Sequence, residues 1–328
     1  MRSKPLLELL QSVQEQTLYP DEILIIDGST TTETEQILKE NPFQNLSYYL
    51  VSAEKRGLTK QRNFGIELTN PSSEVVCFLD DDTVLEQHYF EEIIKTYQDN
   101  PSVSGVGGVA INENKWVKAQ QEVNYNPKKY YQLDGYVYKE STRTILRNYL
   151  GLQSNLAPGK MPLFSHGLNC GFPLNNAIYE VDLLIGMSCS FRKKVVNTIR
   201  FSTYFEGYGL YEDADFSLRA LQFGKNVINT KARLQHFHHP SGRPNPYKYG
   251  KMVVRNGWYV WRIKNPKPVI KDRIKWHSIT ILLTIIRFLN TITTKDRREA
   301  FSEAIGRTVG WWSLLIKKPK VLNGTAKQ

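Results

Sequence analysis

The run Val75-Val76-Cys77-Phe78-Leu79-Asp80-Asp81-Asp82-Thr83 constrains this chain more than any other stretch. Five consecutive apolar residues have no polar face, so they read as a central strand covered on both faces within an α/β sheet. Three carboxylates are then delivered together at its carboxyl end, where open α/β sheets bind ligands. Successive strand residues point to opposite faces, so Asp80 and Asp82 face one way and Asp81 the other. An Asp-x-Asp pair offers two hard oxygen ligands to one divalent cation of the Mg2+ or Mn2+ kind. The same residues also fit a polar strand-to-loop turn in which Asp82 caps a helix beginning near Leu85.

Around this run the pattern alternates. Leu6, Leu9, Leu10 and Val13 recur at helical spacing after Ser3 and Pro5. A short strand over 22–26 ends in Asp27-Gly28-Ser29. A helix over 34–39, a strand over 46–51 and a loop entering a helix over 57–68 precede the Val75 strand, and a helix over 87–97 and a strand over 104–111 follow it. Strands separated by helices of about ten residues predict βαβ units and a mostly parallel central sheet flanked by helices. Residues 112–180, rich in Tyr, Asn, Gly and Pro, predict a loop-rich binding surface. Regularity returns with a strand over 181–185, a turn over 186–190, a helix over 193–198, a helix over 212–223 and a strand over 226–229.

The net charge of +11 is uneven: residues 267–328 hold 13 Lys and Arg against 4 Asp and Glu. A basic tail suggests an anionic partner, membrane or nucleic acid. No nucleic-acid recognition motif appears, and no Gly-x-Gly-x-x-Gly follows a strand, which disfavours a nicotinamide enzyme. Residues 279–292 are apolar but interrupted by Arg287 and fall short of the roughly 20 residues a spanning helix needs. That segment is expected on a membrane surface or in a core. Cys77, Cys170 and Cys189 lack metal-ligand spacing and the N-terminus lacks an apolar signal-peptide core, which together point to the cytosol.

A second acidic site lies in Gly207-Tyr208-Gly209-Leu210-Tyr211-Glu212-Asp213-Ala214-Asp215. Adjacent acids at a helix N-terminus are kept ionised by the helix dipole, so one of them could serve as a general base; acids in a first turn are also ordinary stabilisers. His236, His238 and His239 follow the next strand.

The strand ending in Asp27-Gly28-Ser29, the loop Arg56-Gly57-Leu58-Thr59-Lys60-Gln61-Arg62-Asn63, the Asp80-Asp81-Asp82 strand, the turn Gly186-Met187-Ser188-Cys189-Ser190-Phe191-Arg192 and the Glu212-Asp213 helix occur in that order. Together they resemble an inverting family 2 glycosyltransferase of the GT-A fold over roughly residues 4–240. The resemblance implies sugar transfer from a nucleotide-diphosphate donor to an acceptor hydroxyl, with residues 1–111 as the nucleotide-sugar-binding half, 112–265 as the acceptor-binding and catalytic half, and 266–328 as an amphipathic helical tail. It implies donor contacts from Asp27 at the nucleobase and from Arg62, Asp80 and Asp82. Mn2+ or Mg2+ would be held by Asp82 and Asp80. Asp213 would be the base with Glu212 beside it, and Ser188 and Arg192 would line the acceptor side. Related folds can place a histidine on the metal; His236 is preferred over His238, and neutral imidazole suits Mn2+ better than Mg2+. Arg243, in a basic loop, is a candidate for closing over the diphosphate. No Gln-x-x-Arg-Trp follows the Glu212-Asp213 helix, which argues against processive, polymer-forming members.

Two departures accompany the resemblance. Members open with a strand ending in a Pro-Thr-Tyr-Asn-like turn, whereas this sequence starts at the following helix, so the natural chain is expected to begin upstream of Met1. The tail, with Trp276, Trp311-Trp312 and interspersed Lys and Arg, has the composition of helices at an anionic bilayer or of a helical pair packed on the enzyme. A peripheral enzyme on the inner face of the cell membrane, acting on a saccharide or lipid-linked acceptor in surface polysaccharide or glycolipid assembly, is the resulting expectation. The rival is a haloacid-dehalogenase-like phosphohydrolase with Asp80 as nucleophile, because Asp80-x-Asp82-x-Val84 fits that motif. Such enzymes carry it on their first strand, and here two strands precede it. A basic nucleic-acid-binding protein rests on charge alone.

Overall fold

The computed structural model describes residues 2–165, 167, 171–205, 207–238 and 244–321; Cys170, His239 and Arg243 lie outside them. The first half contains α1 (Ser3–Gln14), β1 (Ile23–Asp27), α2 (Glu33–Glu40), β2 (Leu46–Leu50), α3 (Leu58–Leu68), β3 (Val75–Leu79), β4 (Thr83–Leu85), α4 (Tyr89–Asp99) and β5 (Val103–Ala110). Then come β6 (Val117–Lys118), β7 (Tyr130–Leu133), β8 (Tyr136–Lys139), α5 (Thr142–Tyr149), β9 (Ile178–Val181), β10 (Ser188–Arg192), α6 (Lys193–Thr198), α7 (Glu212–Ala220) and β11 (Lys225–His236). Three long helices follow: α8 (Pro246–Lys264), α9 (Ile270–Thr293) and α10 (Arg297–Ile316). Contacts divide the chain into two compact units, one from residues 1–114 and 174–241 and the other from 115–173 and 242–323. This division interleaves the segments expected from sequence.

The first unit is mixed α/β. Its six-stranded sheet runs β3-β10-β5-β11-β4 with β9 on β11, and β1 pairs with β2 in a separate parallel pair. The expectation of a mostly parallel sheet needs correction. β5 and β11 are parallel, but β10 runs antiparallel between β3 and β5, and β4 and β9 run antiparallel to β11. The cause is where β10 starts: Ser188 pairs with Leu79 at the carboxyl end of β3, so the strand can only run back toward Val75. Residues 188–192 are accordingly a strand, and the turn ends before them. The core collects the apolar stripe of α1 (Leu6, Leu9, Leu10, Val13) and Tyr89, Ile93 and Tyr97 of α4 against Val106, Val227 and Leu234 of the sheet.

In the second unit the stretch expected to be loop-rich holds a three-stranded antiparallel sheet, β6-β8-β7, and the helix α5, capped by the Ser141 hydroxyl. The β7–β8 hairpin turns on Asp134-Gly135, with φ of 48° and 76°, the two left-handed positions a tight hairpin turn needs. That Asp-Gly pair between aromatic runs was the signal available in the sequence. α8 begins at Asn245, whose side chain accepts from Tyr247 N and Lys248 N, and α10 packs along it. A Cβ on Gly306 would fall 2.0 Å from the Tyr247 carbonyl oxygen and one on Gly250 2.2 Å from that of Glu303, so only glycine permits this approach. No helix among the described residues is long and apolar enough to cross a membrane.

Candidate active site

The site forms at the carboxyl edge of β3, within the first unit. Asp80 follows the strand directly; its amide donates to Met187 O (3.2 Å), and the Thr83 hydroxyl donates to its carbonyl (2.8 Å), closing the turn into β4. β4 pairs with the end of β11 so that Thr83 lies opposite His236. This register brings the imidazole to the aspartates: His236 Nε2 lies 3.5 Å from Asp82 Oδ1, and its Nδ1 lies 2.7 Å from Glu113 Oε1. Ligand atoms of Asp80, Asp82 and His236 all fall within 4.8 Å of one another. Two carboxylates and an imidazole held to the aspartate face fit a divalent cation of the Mn2+ type, with Glu113 orienting the ring by accepting from Nδ1–H.

Arg62, on α3, joins this cluster to the second acidic motif. Its guanidinium donates to Glu212 Oε1 (2.7 Å), to Asp80 Oδ1 (3.3 Å) and to the Gly186 carbonyl (3.0 Å), and it lies 5.2 Å from the Phe201 ring centroid. The group is buried and links Asp80, beside the Asp-x-Asp pair, to Glu212 at the start of α7. Glu212 is 6% exposed. Burial, with Asp213 adjacent, pushes its carboxyl well above the usual range, while Arg62 opposes the shift.

Asp213 is less enclosed. Its Oδ2 accepts from Gly186 N (3.0 Å) and its Oδ1 from Ala214 N (2.7 Å) at the start of α7. Burial raises its pKa against the pull of those two amides. Asp80 is raised as well, chiefly by burial, with Arg62 opposing. Tyr211, just before this pair, has φ of 74°, a left-handed conformation costing a non-glycine residue about 1 kcal/mol.

Other expected residues are placed differently. Asp27 is fully buried; it accepts from Ser29 N (2.8 Å), Ser29 Oγ (2.9 Å) and Tyr48 Oη (3.0 Å), and these bonds hold its pKa low against burial. Ser188 is 1% exposed, accepts from Gly108 N (3.0 Å) and shares a 2.6 Å hydrogen bond with Tyr89 Oη. Arg192 sits at the other end of β10, opposite Val75, and donates to Val103 O, Tyr97 O and Asn100 O. A five-residue strand thus carries Arg192 about 13 Å from the acidic edge, while Ser188 stays next to it.

Two residues at the site escaped the sequence reading. Arg2 donates to Asp82 Oδ2 (2.7 Å) and pairs with Asp81, an approach across 80 positions that no local pattern signals. Glu113 also meets His238 Nε2 at 2.9 Å. It follows the end of β5, and a carboxylate just past a parallel strand was the available clue.

Residues 1–156 match the glycosyl transferase family 2 model. Over 130 residues the chain is 29% identical to the glucosyl-dolichyl phosphate glucuronosyltransferase of Haloferax volcanii, covering 39% of each protein. The chain thus spans about two fifths of the length of that relative. Among solved structures, the mannosyltransferase PcManGT from Pyrobaculum calidifontis, in complex with GDP-Man and Mn2+, superposes with a TM-score of 0.50 at 12% identity, over 97% of this chain and 73% of that one. At that identity the likeness is one of fold. The phosphohydrolase alternative is not favoured: the family match points elsewhere, and Asp80 Oδ1, which would be its nucleophile, is held by Arg62.

Proposed function

We propose that this chain is a glycosyltransferase that moves a sugar from a nucleotide-diphosphate donor to an acceptor hydroxyl with inversion. The observation that carries the reading is the cluster in which the buried Arg62 links Asp80 of the Asp-x-Asp pair to the buried Glu212 of the α7 acids. The match of residues 1–156 to family 2 supports it. Asp213 takes the proton of the acceptor hydroxyl while that oxygen attacks the anomeric carbon, and the bond from that carbon to the diphosphate breaks on the opposite face. Glu212, fixed by Arg62, orients the acceptor side. Asp82, Asp80 and His236 would hold Mn2+ or Mg2+, which would offset the charge of the departing diphosphate. Asp27 and Ser29, at the end of β1, serve the nucleobase. The basic tail favours a saccharide or lipid-linked acceptor of surface polysaccharide or glycolipid assembly at the inner membrane face.

The test is binding of nucleotide sugars with Mn2+ or Mg2+ by calorimetry, alongside transfer assays. Asp82→Ala is expected to lose metal-dependent donor binding, and Asp213→Ala to keep it while losing transfer. Equal donor binding by both variants and the unaltered protein would contradict the assignment.

A further inference from the structure

α9 leaves Ile270, Ile274, Ile281, Ile285, Leu289 and Ile292 between 42% and 75% exposed. At 100° per residue these six side chains fall within an arc of about 100°, while Trp276 and Ile279 on the opposite side are buried. α10 repeats the arrangement: Phe301, Val309, Trp312 and Ile316 share an arc of about 80° and are 37–90% exposed, with Ala300, Ala304 and Leu314 buried behind them. The helices run antiparallel, since His277 accepts from Trp311 Nε1 at 3.0 Å and the rings of Phe288 and Phe301 lie 6.2 Å apart. Phe288 belongs to the α9 arc and Phe301 to the α10 arc, so the two stripes border one another as one face. Scattered exposed apolar residues need no explanation, but a continuous face does.

Both ends of the face are cationic. Lys271, Arg273, Lys317 and Lys318 are exposed at one end, and Lys295, Arg297 and Arg298 at the turn between the helices. Asp272, Asp296 and Glu299 are the nearby acids. We propose that the joined α9–α10 stripe is a docking face for an anionic lipid bilayer, with both helices in the membrane plane, the Ile and Leu side chains in the acyl boundary and the basic ends among headgroups. Neither helix can cross the bilayer, so the protein would lie on it. A second copy of the chain is the poorer occupant: either antiparallel or parallel apposition sets one cationic end against another. The inference goes beyond the sugar-transfer reading and stands without it.

The experiment is flotation of the full chain with vesicles of phosphatidylcholine alone and of phosphatidylcholine mixed with phosphatidylglycerol. It is run beside Ile281→Asp/Ile285→Asp and Arg297→Glu/Arg298→Glu, all exposed positions whose helicity is checked by circular dichroism. Each cation near an anionic surface contributes roughly fivefold to partitioning. Either variant should therefore bind mixed vesicles more than tenfold more weakly, with donor binding unchanged, and bromolipid should quench Trp312. Failure of the full chain to float, or equal flotation by the variants, overturns the proposal. So does a dimer in sedimentation that Ile281→Asp/Ile285→Asp abolishes without any vesicle binding, which assigns the face to a second copy.

Discussion

Replacing Arg62 by Met tests whether the two acidic motifs are one electrostatic unit. The Arg62 and Glu212 side chains are 8% and 7% exposed, so the substitution leaves a buried carboxylate without its partner, a loss of about 3–5 kcal/mol. The Asp80 contact adds little, below about 1 kcal/mol, because Asp80 is 38% exposed and solvent screens it. Met preserves most of the packing against Phe78 and Phe201, so the expected loss stays near the Glu212 figure at alkaline pH, above the raised Glu212 pKa of about 8, where the carboxyl is ionised. Without Arg62, burial, Asp213 and Asp80 raise the Glu212 pKa further, opposed by the hydrogen bond from the Asp213 amide. A carboxyl raised in the folded state takes up protons there first, so the variant regains stability as pH falls through the folded pKa. The gain is about 1.4 kcal/mol for each pH unit crossed until the ordinary carboxylate range is reached. Urea melts of both proteins at alkaline and neutral pH measure this, because below about 8 the Glu212 carboxyl of the unaltered protein is protonated too. An alkaline deficit under about 1 kcal/mol, or one that does not narrow as pH falls to neutral, refutes the reasoning.

Asp213 must be ionised to act as base, and its pKa is raised by burial, so transfer should decline on acidification at a pH above the ordinary carboxylate range; a pH–rate profile falling only within that range would remove Asp213 from the role. Arg2→Ala releases Asp82 from a competing cation and should tighten Mn2+ binding several-fold by calorimetry, whereas weaker binding would show that Arg2 assists the site. Ser188→Ala leaves the Tyr89 hydroxyl and Gly108 amide unpaired and should cost about 1–3 kcal/mol in a urea melt without changing the KM for acceptor; a raised KM would return Ser188 to the acceptor side.

The legible parts of the molecule were those in which one strand or one helix carries its own signal. The Val75–Leu79 run was legible as a strand, and α1 follows its apolar spacing closely. But β3 is the half-buried end strand of its sheet rather than a central one covered on both faces, because an apolar run does not say which strands will flank it. What the sequence withheld depends on pairing. β10 looked like a turn because Ser188, Cys189 and Ser190 are small and polar, and only its place between β3 and β5 makes it a buried strand. Arg62 was legible as a site residue but not as a link, since Glu212 lies 150 positions away. Ser188 and Arg192 stand in one motif but at opposite ends of β10, a separation that adjacency in sequence does not reveal.

Charge explains why these residues act together. The five acidic side chains of Asp80, Asp81, Asp82, Glu212 and Asp213 face two guanidiniums, those of Arg2 and Arg62, so acids outnumber fixed cations at this edge. Burial and mutual repulsion show in the raised pKa of Asp80, Glu212 and Asp213. A diphosphate would meet this edge as anion against anion, and a divalent cation between them reverses the sign of that encounter. Arg2 already holds Asp82 Oδ2, and His236 stands at Oδ1, so a cation can enter on the His236 side while competing with Arg2 for the same carboxylate. A guanidinium displaced from Asp82 remains beside the entering diphosphate, which presents oxygens suited to a bidentate partner. Removing Arg2 should therefore move two affinities in opposite directions, strengthening the metal alone and weakening the nucleotide sugar that follows it.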